Sequence, residues 1–492
     1  MSQRPDAPLS ERTMHAGLWT VGARLASRLL DFLTLLVLAR FLGPADFGLV
    51  ATAMTVIYVV EAILELPLAS ALVRLQHVTE SAYSTAFTLG LLRGLLIAAI
   101  LSAVSFPLAA FYGDGRLAAL ICTLSLAPGL RGMISPRLVA FDKVLDFRRR
   151  GLLELFGKAT AAALAIAIAT TTGSYWAIAA TTIAAPAVMM SLSYVMAPMW
   201  PRLTLADWPL FSQMAGWNFV SQTLSAVNWQ IDRILLPRYV DTASFGRFAA
   251  ANDLASLPSQ AIVSPAMGPL MAAFATARDN GHLKEAYLKS SASFILVLLP
   301  VLFFMAAFAG PLIRVLLGPQ WQAAGPILAG LAFAGLIALP SIPMLPLALV
   351  MDRSRDLATR SFVELLVRVP LSLIGIITFG VPGAIVARAG SAIAVCASSL
   401  ALTRAMANIM IRDQLAVAIR PLLAIVPASL VLFLCKNYLG FDETLYRDFL
   451  ASGLAYCLTY AASILVLWLL ARRPSGIEAT IVTIASNYFR RR

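Results

Sequence analysis

The sequence predicts an all-α, polytopic integral membrane protein: about fourteen transmembrane helices, arranged as two parallel six-helix repeats around a central cavity, with two extra C-terminal helices. Three observations carry this. Hydrophobic residues make up 60% of the chain and charged residues only 13%, with a mean hydropathy of +0.81, whereas soluble domains are near half apolar and a quarter charged. The apolar residues fall into runs of about 20, the length a helix needs to cross hydrocarbon, and not into the ten-residue alternation of a membrane barrel. Finally, LARFLGPADFGLVATA from Leu38 to Ala53 returns as LPRYVDTASFGRFAAA from Leu236 to Ala251. The offset of 198 residues aligns Arg40 with Arg238, Phe47 with Phe245, Gly48 with Gly246 and, further back, Trp19 with Trp217.

In chain order, residues 1–15 lack the apolar core and small-residue cleavage site of a signal peptide and are read as a cytoplasmic N-terminus. The N-lobe, 16–200, holds spans at 16–39, 46–73, 82–111, 116–140, 151–171 and 175–198. The C-lobe, 201–410, holds spans at 211–236, 246–275, 288–317, 324–350, 359–379 and 382–407, the ninth with a bend expected at Pro300 or Pro311. Residues 411–473 add spans at 416–438 and 446–471. The last segment, 474–492, places Ile477, Ile481, Ile484 and Tyr488 on one helical face and ends in three arginines, as in a basic amphipathic helix lying on a membrane surface. An even number of spans separates the two motif copies, so the repeat is parallel.

Positive charge sets the orientation, since Lys and Arg stay on the cytoplasmic side of short loops. A cytoplasmic N-terminus puts Arg74, Arg137 to Arg150, Arg202, Arg278 to Lys289, Arg353 to Arg360, Arg404 to Arg420 and Arg472/Arg473 on one side. The expectation is a bacterial inner-membrane protein with both termini cytoplasmic. The net charge of +13 is thereby accounted for by topology and anionic lipid, with no call for nucleic acid.

The repeated motif reads as structure. Gly43-Pro44 ends the first span, and Asp46 is placed to cap the second, while Arg40 and Arg238 sit at outer helix ends where long basic side chains reach the headgroups. ARFLGPADFGLVATAM, directly after a first span bearing Arg24, Arg28 and Asp31, resembles the polysaccharide transporter branch of the multidrug/oligosaccharidyl-lipid/polysaccharide flippase superfamily, the Wzx-like flippases. That resemblance implies transfer of an undecaprenyl-diphosphate-linked oligosaccharide from the cytoplasmic to the periplasmic leaflet by alternating access, for O-antigen, capsule or exopolysaccharide assembly. It also implies a polysaccharide polymerase and a chain-length regulator as partners. The alternatives are a cation-coupled multidrug antiporter of the same superfamily and, more remotely, a membrane-embedded polymerase or ligase. Short outer loops disfavour the enzyme, and no phosphate-binding G-x-x-x-x-G-K-[ST] loop is present.

Ionisable residues inside spans are the candidate site, because each costs about 2.5–3.5 kcal/mol at a helix centre unless it lines a cavity or finds a partner. Arg24, Arg28 and Asp31 fall on one face of the first span, Glu61 and Glu65 one turn apart on the second, and Arg93 midway along the third. Two readings stay open: the arginines take a diphosphate, with Asp31, Glu61 and Glu65 as coupling carboxylates for H+ or Na+, or the arginines pair with Glu61 and Glu65 between helices. No other cofactor is expected. In the second half Asn218, Gln222 and Trp229 offer amides and an aromatic ring to a sugar, Gln222 standing where the first copy has Arg24. Asp232, Arg233 and Asp253 are candidates for a periplasmic gate, and Arg388 for a further cavity cation. Glu154/Lys158 and Glu364/Arg368 read as structural pairs within their own helices. The prolines of the eighth and tenth spans read as helix breaks. The four cysteines read as core-filling thiols, and the three histidines form no metal set.

Overall fold

The computed structural model describes residues 9–144, 146–211, 228–438 and 445–471, and among these all regular secondary structure is helical, with no strand. Two compact units divide the chain, Met1–Ala249 and Ala250–Arg492. The described residues include ten helices or helix pairs long and apolar enough to cross a membrane, or eleven if the pair Arg116–Gly132 and Pro136–Lys143, bent by 50°, is one broken span. The first span is not among them because its helix carries Arg24, Arg28, Asp31 and Arg40, nor is the eighth, diluted by Ser, Gln and Pro. Most of the seventh lies outside the described residues, as does the 474–492 tail.

The first unit contains α1 (Leu9–Phe41), α2 (Pro44–Ile63), α3 (Leu68–Arg74), α4 (Glu80–Tyr112), α5 (Arg116–Leu124), α6 (Leu126–Gly132), α7 (Val139–Lys143), α8 (Phe147–Thr172), α9 (Trp176–Met196) and α10, described over 228–239. Its last residues open α11 (Thr242–Asp279). The second span is two helices, not one: Pro67 disfavours helical geometry at the residue before it, so α2 ends at Ile63 and α3 begins afresh at Leu68. Leu49, Ile57, Ile97, Leu101, Leu120 and Ile121 form the main core of this unit, from α2, α4 and α5. α8 packs between α1 and α9. Gly113 (φ 76°) and Gly173 (φ 59°) end α4 and α8 in the left-handed conformation usual for a helix C-terminus.

The repeated motif forms the same turn twice with its hydrogen bond reversed. In the first copy Pro44 opens α2 and the Asp46 carboxylate accepts the Gly43 N–H at 3.2 Å. In the second, Asp241 takes the place of Gly43 and Ser244 that of Asp46, and the Asp241 carboxylate accepts the Ser244 N–H at 2.9 Å. The two copies then meet inside the first unit. A Cβ on Gly48 would lie 1.8 Å from the Thr242 carbonyl oxygen, and one on Gly246 would lie 1.8 Å from that of Pro44. The contact is reciprocal under the 198-residue offset and possible only for glycine. Beside it the Tyr112 hydroxyl donates to the Ile234 carbonyl (3.2 Å), and the Arg238 guanidinium sits 5.4 Å over the Phe111 ring. Arg238 is thus an exposed anchor on an aromatic ring as well as a helix-end charge.

The second unit contains the rest of α11, then α12 (Leu283–Ala307), α13 (Ala309–Leu316), α14 (Gly325–Ala338), α15 (Met344–Val350), α16 (Ser354–Phe379), α17 (Val381–Ala407), α18 (Ile411–Ala416), α19 (Ile419–Tyr438) and α20 (Leu445–Leu470). The proline expectation divides. Pro340 and Pro343 do interrupt the tenth span between α14 and α15, but Pro346 lies within α15, and Pro258, Pro265 and Pro269 are carried inside an unbroken α11. The ninth span breaks at Phe308, between Pro300 and Pro311. Pro300 itself stays inside α12, where it has no N–H to give the carbonyl of Leu296. The Tyr460 hydroxyl of α20 donates to that carbonyl at 3.0 Å, and Tyr456, one turn earlier, donates to the Pro300 carbonyl at 2.9 Å. The last helix, α20, is therefore fitted to a specific defect in α12. None of the four cysteines is in a disulfide, and Cys457 is exposed, so it does not fill the core.

Candidate functional site

The charged interior of the first unit is built around α8, which presents Arg150, Glu154 and Lys158 at intervals of four and so on one face. Lys158 is the centre of a cluster joining α8 to α1. Its ammonium donates to the Asp31 carboxylate (2.7 Å) and to the Ser27 hydroxyl (2.6 Å), and lies 3.3 Å from Glu154. Ser27, itself buried, donates on to Glu154 at 2.7 Å. The Glu154/Lys158 pair therefore forms within its helix as the spacing predicts, and the same two residues also hold α1.

A second cluster joins α2, α4 and α6. Arg131 on α6 places one guanidinium nitrogen 2.5 and 2.6 Å from the two Glu61 carboxylate oxygens. Arg93 on α4 turns to the end of α2, donating to the Leu64 carbonyl at 2.7 Å and the Glu61 carbonyl at 3.0 Å, so it satisfies the orphaned carbonyls of a helix C-terminus. Close backbone contact makes the juxtaposition: a Cβ on Gly90 would sit 2.6 Å from the Gly132 carbonyl oxygen, so α4 and α6 touch within a turn of Arg93 and Arg131. Glu65 does not sit one helical turn from Glu61, because α2 ends at Ile63 and Glu65 is exposed in the break before Pro67.

The two clusters border one cavity of about 700 Å³, with Asp31, Arg131, Glu154 and Lys158 in its wall beside Thr34, Tyr58, Thr181 and Thr182. Its volume is in the range of small-molecule sites. Glu61 pairs with Arg131 and Asp31 with Lys158, so Glu61 is not the partner of Arg24 or Arg28, and these pairs do not bear on the reading in which the arginines take a diphosphate. Arg24 and Arg28 are exposed on α1 and have no ion pair among the described residues.

The remaining predicted residues are dispersed. Asn218 and Gln222 lie outside the described residues. Trp229 is 72% exposed on α10, whereas Asp232, one turn on, is buried and Arg233 half-buried. Asp253 is exposed on α11. In the second unit Arg388 donates to Asn252 at 2.9 Å, linking α17 to α11, and the Glu364/Arg368 pair forms at 3.6 Å with Arg368 buried. Among the described residues no group of histidine, cysteine and acidic side chains could hold a metal ion.

Residues 37–326 match the model of a family described as polysaccharide biosynthesis protein. The chain belongs to that family. Its relatives include the succinoglycan biosynthesis transport protein ExoT of Rhizobium meliloti (strain 1021), 28% identical over 333 residues and 67% of each chain. They also include the lipopolysaccharide biosynthesis protein WzxC of Escherichia coli (strain K12), 21% identical over 339 residues, 67% of this chain and 68% of the other. Among solved structures it is similar to the lipid II flippase MurJ in an inward closed conformation, with a TM-score of 0.70 at 17% identity over 93% of this chain and all of the other. It is also similar to an inward-facing multidrug resistance transporter of the MATE family, with a TM-score of 0.61 at 15% identity over 79% and 98%. The chain is thus a multi-pass membrane member of the polysaccharide biosynthesis protein family, with a fold similar to those two transporters.

Proposed function

We propose that this protein is a flippase that carries an undecaprenyl-diphosphate-linked oligosaccharide from the cytoplasmic to the periplasmic leaflet of the bacterial inner membrane by alternating access, driven by exchange of H+ or Na+. The observation that carries the cargo's charge is the way the first unit uses its acids. Asp31, Glu61 and Glu154 are each committed to an ion pair with Lys158 or Arg131, which leaves Arg24 and Arg28 as exposed cations on α1. An arginine fork suits a diphosphate, to which it can donate two parallel hydrogen bonds. A cation antiporter on the same fold needs the opposite balance, with carboxylates left uncompensated. The family and the names of its relatives, a succinoglycan transport protein and a lipopolysaccharide biosynthesis protein, support a glycan as the rest of the cargo. Coupling falls to Asp31 and Glu61, whose partners are released when either carboxylate takes up a proton. Polymerase and chain-length regulator are the partners expected downstream.

The test is transport of fluorescent undecaprenyl-diphosphate-linked oligosaccharide in proteoliposomes, comparing the wild type with Arg24→Gln/Arg28→Gln. Loss of at least tenfold in rate for the variant, with ethidium-type cations unmoved by either protein, is the expected result. Normal glycan transfer by the double variant overturns the anionic-cargo reading.

A further inference from the structure

The segment from Ala197 to Phe211, between α9 and α10, combines a fixed backbone with apolar side chains that the first unit leaves uncovered. Its inner side is core: Met199 and Phe211 are buried in one cluster with Leu72, Tyr83 and Val139. Its backbone is held from two directions. The Ser135 hydroxyl donates to the Ala197 carbonyl and the Arg137 guanidinium to that of Pro198, both at 2.8 Å. On α4 the hydroxyl oxygens of Thr88 and Thr85 accept the N–H groups of Thr204 (3.1 Å) and Asp207 (3.3 Å). The outer side is apolar and open. Trp200 is 96% exposed and Leu203 72%, with Leu205, Trp208 and Leu210 exposed after them. Arg202 is the one fully exposed charge in the segment, Asp207 being half-buried.

We infer that this segment is a membrane-surface anchor, which lays Trp200, Leu203 and Trp208 into the headgroup layer of the bilayer beside the end of α9. Continuity names the occupant. α9 and α4 are both long and apolar enough to span a membrane, and the segment starts at the residue after α9 and is bonded to the first turns of α4. A bilayer surface therefore runs past its outer face. Tryptophan concentrates at that depth, where its ring is in the acyl boundary and its N–H reaches water, and Arg202 can extend from there to the headgroups. The same end of the unit carries Arg74, Arg137 and Lys143, a charge that suits anionic lipid. The backbone fits a place short of water as well. Ala206, Trp208, Leu210 and Phe211 donate their N–H groups within the segment, Thr204 and Asp207 donate to α4, and Pro209 has none to donate. A rigid loop facing only water would gain nothing from displaying two tryptophans and three leucines. The inference rests on this surface and not on the flippase reading.

Spin labels on the full-length protein in phosphatidylcholine/phosphatidylglycerol vesicles test it, with Cys122, Cys396, Cys435 and Cys457 first replaced by alanine, none of them being in a disulfide. Trp200→Cys and Leu203→Cys carry the labels. Phe106→Cys, exposed within the α4 span, is the lipid reference, and Asn280→Cys, exposed in the turn after α11, is the water reference. Trp200 and Leu203 project away from the fold, so the labelled proteins should melt like their cysteine-free parent. Oxygen is expected to relax both labels more, and a water-soluble nickel complex less, than at position 280, with values between the two references. Native emission gives a second readout without a label. The emission lost in Trp200→Phe/Trp208→Phe should be a component that phosphatidylcholine brominated near the top of its acyl chains quenches in the wild type. Labels at 200 and 203 that match position 280 overturn the inference and leave the surface to a soluble protein partner. A lost emission component that brominated lipid does not quench overturns it equally.

Discussion

Replacing Gly48 or Gly246 by alanine tests whether the two motif copies press on one another as tightly as the structure places them. Each added Cβ would stand 1.8 Å from a carbonyl oxygen of the opposite helix, whereas ordinary contact begins at 3.4 Å. The difference, 3.4 − 1.8, requires α2 and α11 to part by about 1.6 Å at their first turns. Neither neighbour can yield alone, since both are backbone carbonyls within helical ends. Overpacking of this kind costs about 1–3 kcal/mol. Thermal unfolding of the purified protein in detergent is the assay, with Gly268→Ala as the internal control. Gly268 is exposed on α11 with nothing within 4 Å, so there the same change stabilises by up to about 1 kcal/mol through helix propensity. Opposite signs at Gly48 and Gly268 are expected. Equal melting behaviour of Gly48→Ala, Gly246→Ala and wild type would sink the close-contact reading, and so would destabilisation at Gly268 of similar size.

Lys158→Met strands Asp31 and Glu154 without their ammonium; with Lys158 24% exposed, the loss falls between an exposed pair's ~1 kcal/mol and a buried pair's ~3–5 kcal/mol. A double-mutant cycle with Asp31→Asn measures it, and strict additivity of the two changes argues against the bridge. Tyr460→Phe removes the donor to the Leu296 carbonyl and costs about 0.6–1.7 kcal/mol, and a melt unchanged from wild type contradicts the bond. Asp241→Ala removes the cap of α11 and costs about 1 kcal/mol near neutral pH. Hydrogen bonding from Ser244 holds the Asp241 carboxyl below its ordinary range, so that contribution is complete above the unfolded carboxyl pKa and fades as pH falls through the lower folded value. The stability gap between Asp241→Ala and wild type should accordingly close on acidification; a gap unchanged in acid contradicts the assignment. Asp114 in the turn between α4 and α5, held low first by its hydrogen bond to Arg116, follows the same direction with at most about 1 kcal/mol at stake, and added salt reduces it.

Composition and the length of the apolar runs made the membrane fold readable, because hydrocarbon thickness imposes one length on nearly every element. The repeat was readable from aligned residues, but the contact of Gly48 with Gly246 was not, because an offset says which positions correspond and not that they meet. Pairings across the fold were harder. Lys158 reaches Asp31 across 127 positions and Arg131 reaches Glu61 across 70, and no local periodicity encodes either. Arg131 did carry a signal of its own, an arginine inside the apolar fourth span, the same criterion that singled out Arg93. Glu65 misled because the apolar run continues through Pro67 while the helix does not. The proline rule erred in the opposite sense at α11, where three prolines sit inside continuous helix, as neighbouring groups in membrane proteins re-satisfy freed carbonyls.

The Tyr460 bond to Leu296 also imposes an order on biosynthesis. The acceptor and its donor are 164 residues apart, so at ~5–20 residues per second the α12 carbonyl waits roughly 10–30 s for the tyrosine to be made. During that interval α12 is a nascent span with a bare polar group in lipid, a state worth several kcal/mol to an insertase or chaperone that can cover it. A chain that stops before α20 never leaves that state, which makes α12 the place where membrane quality control would recognise an incomplete copy of this protein.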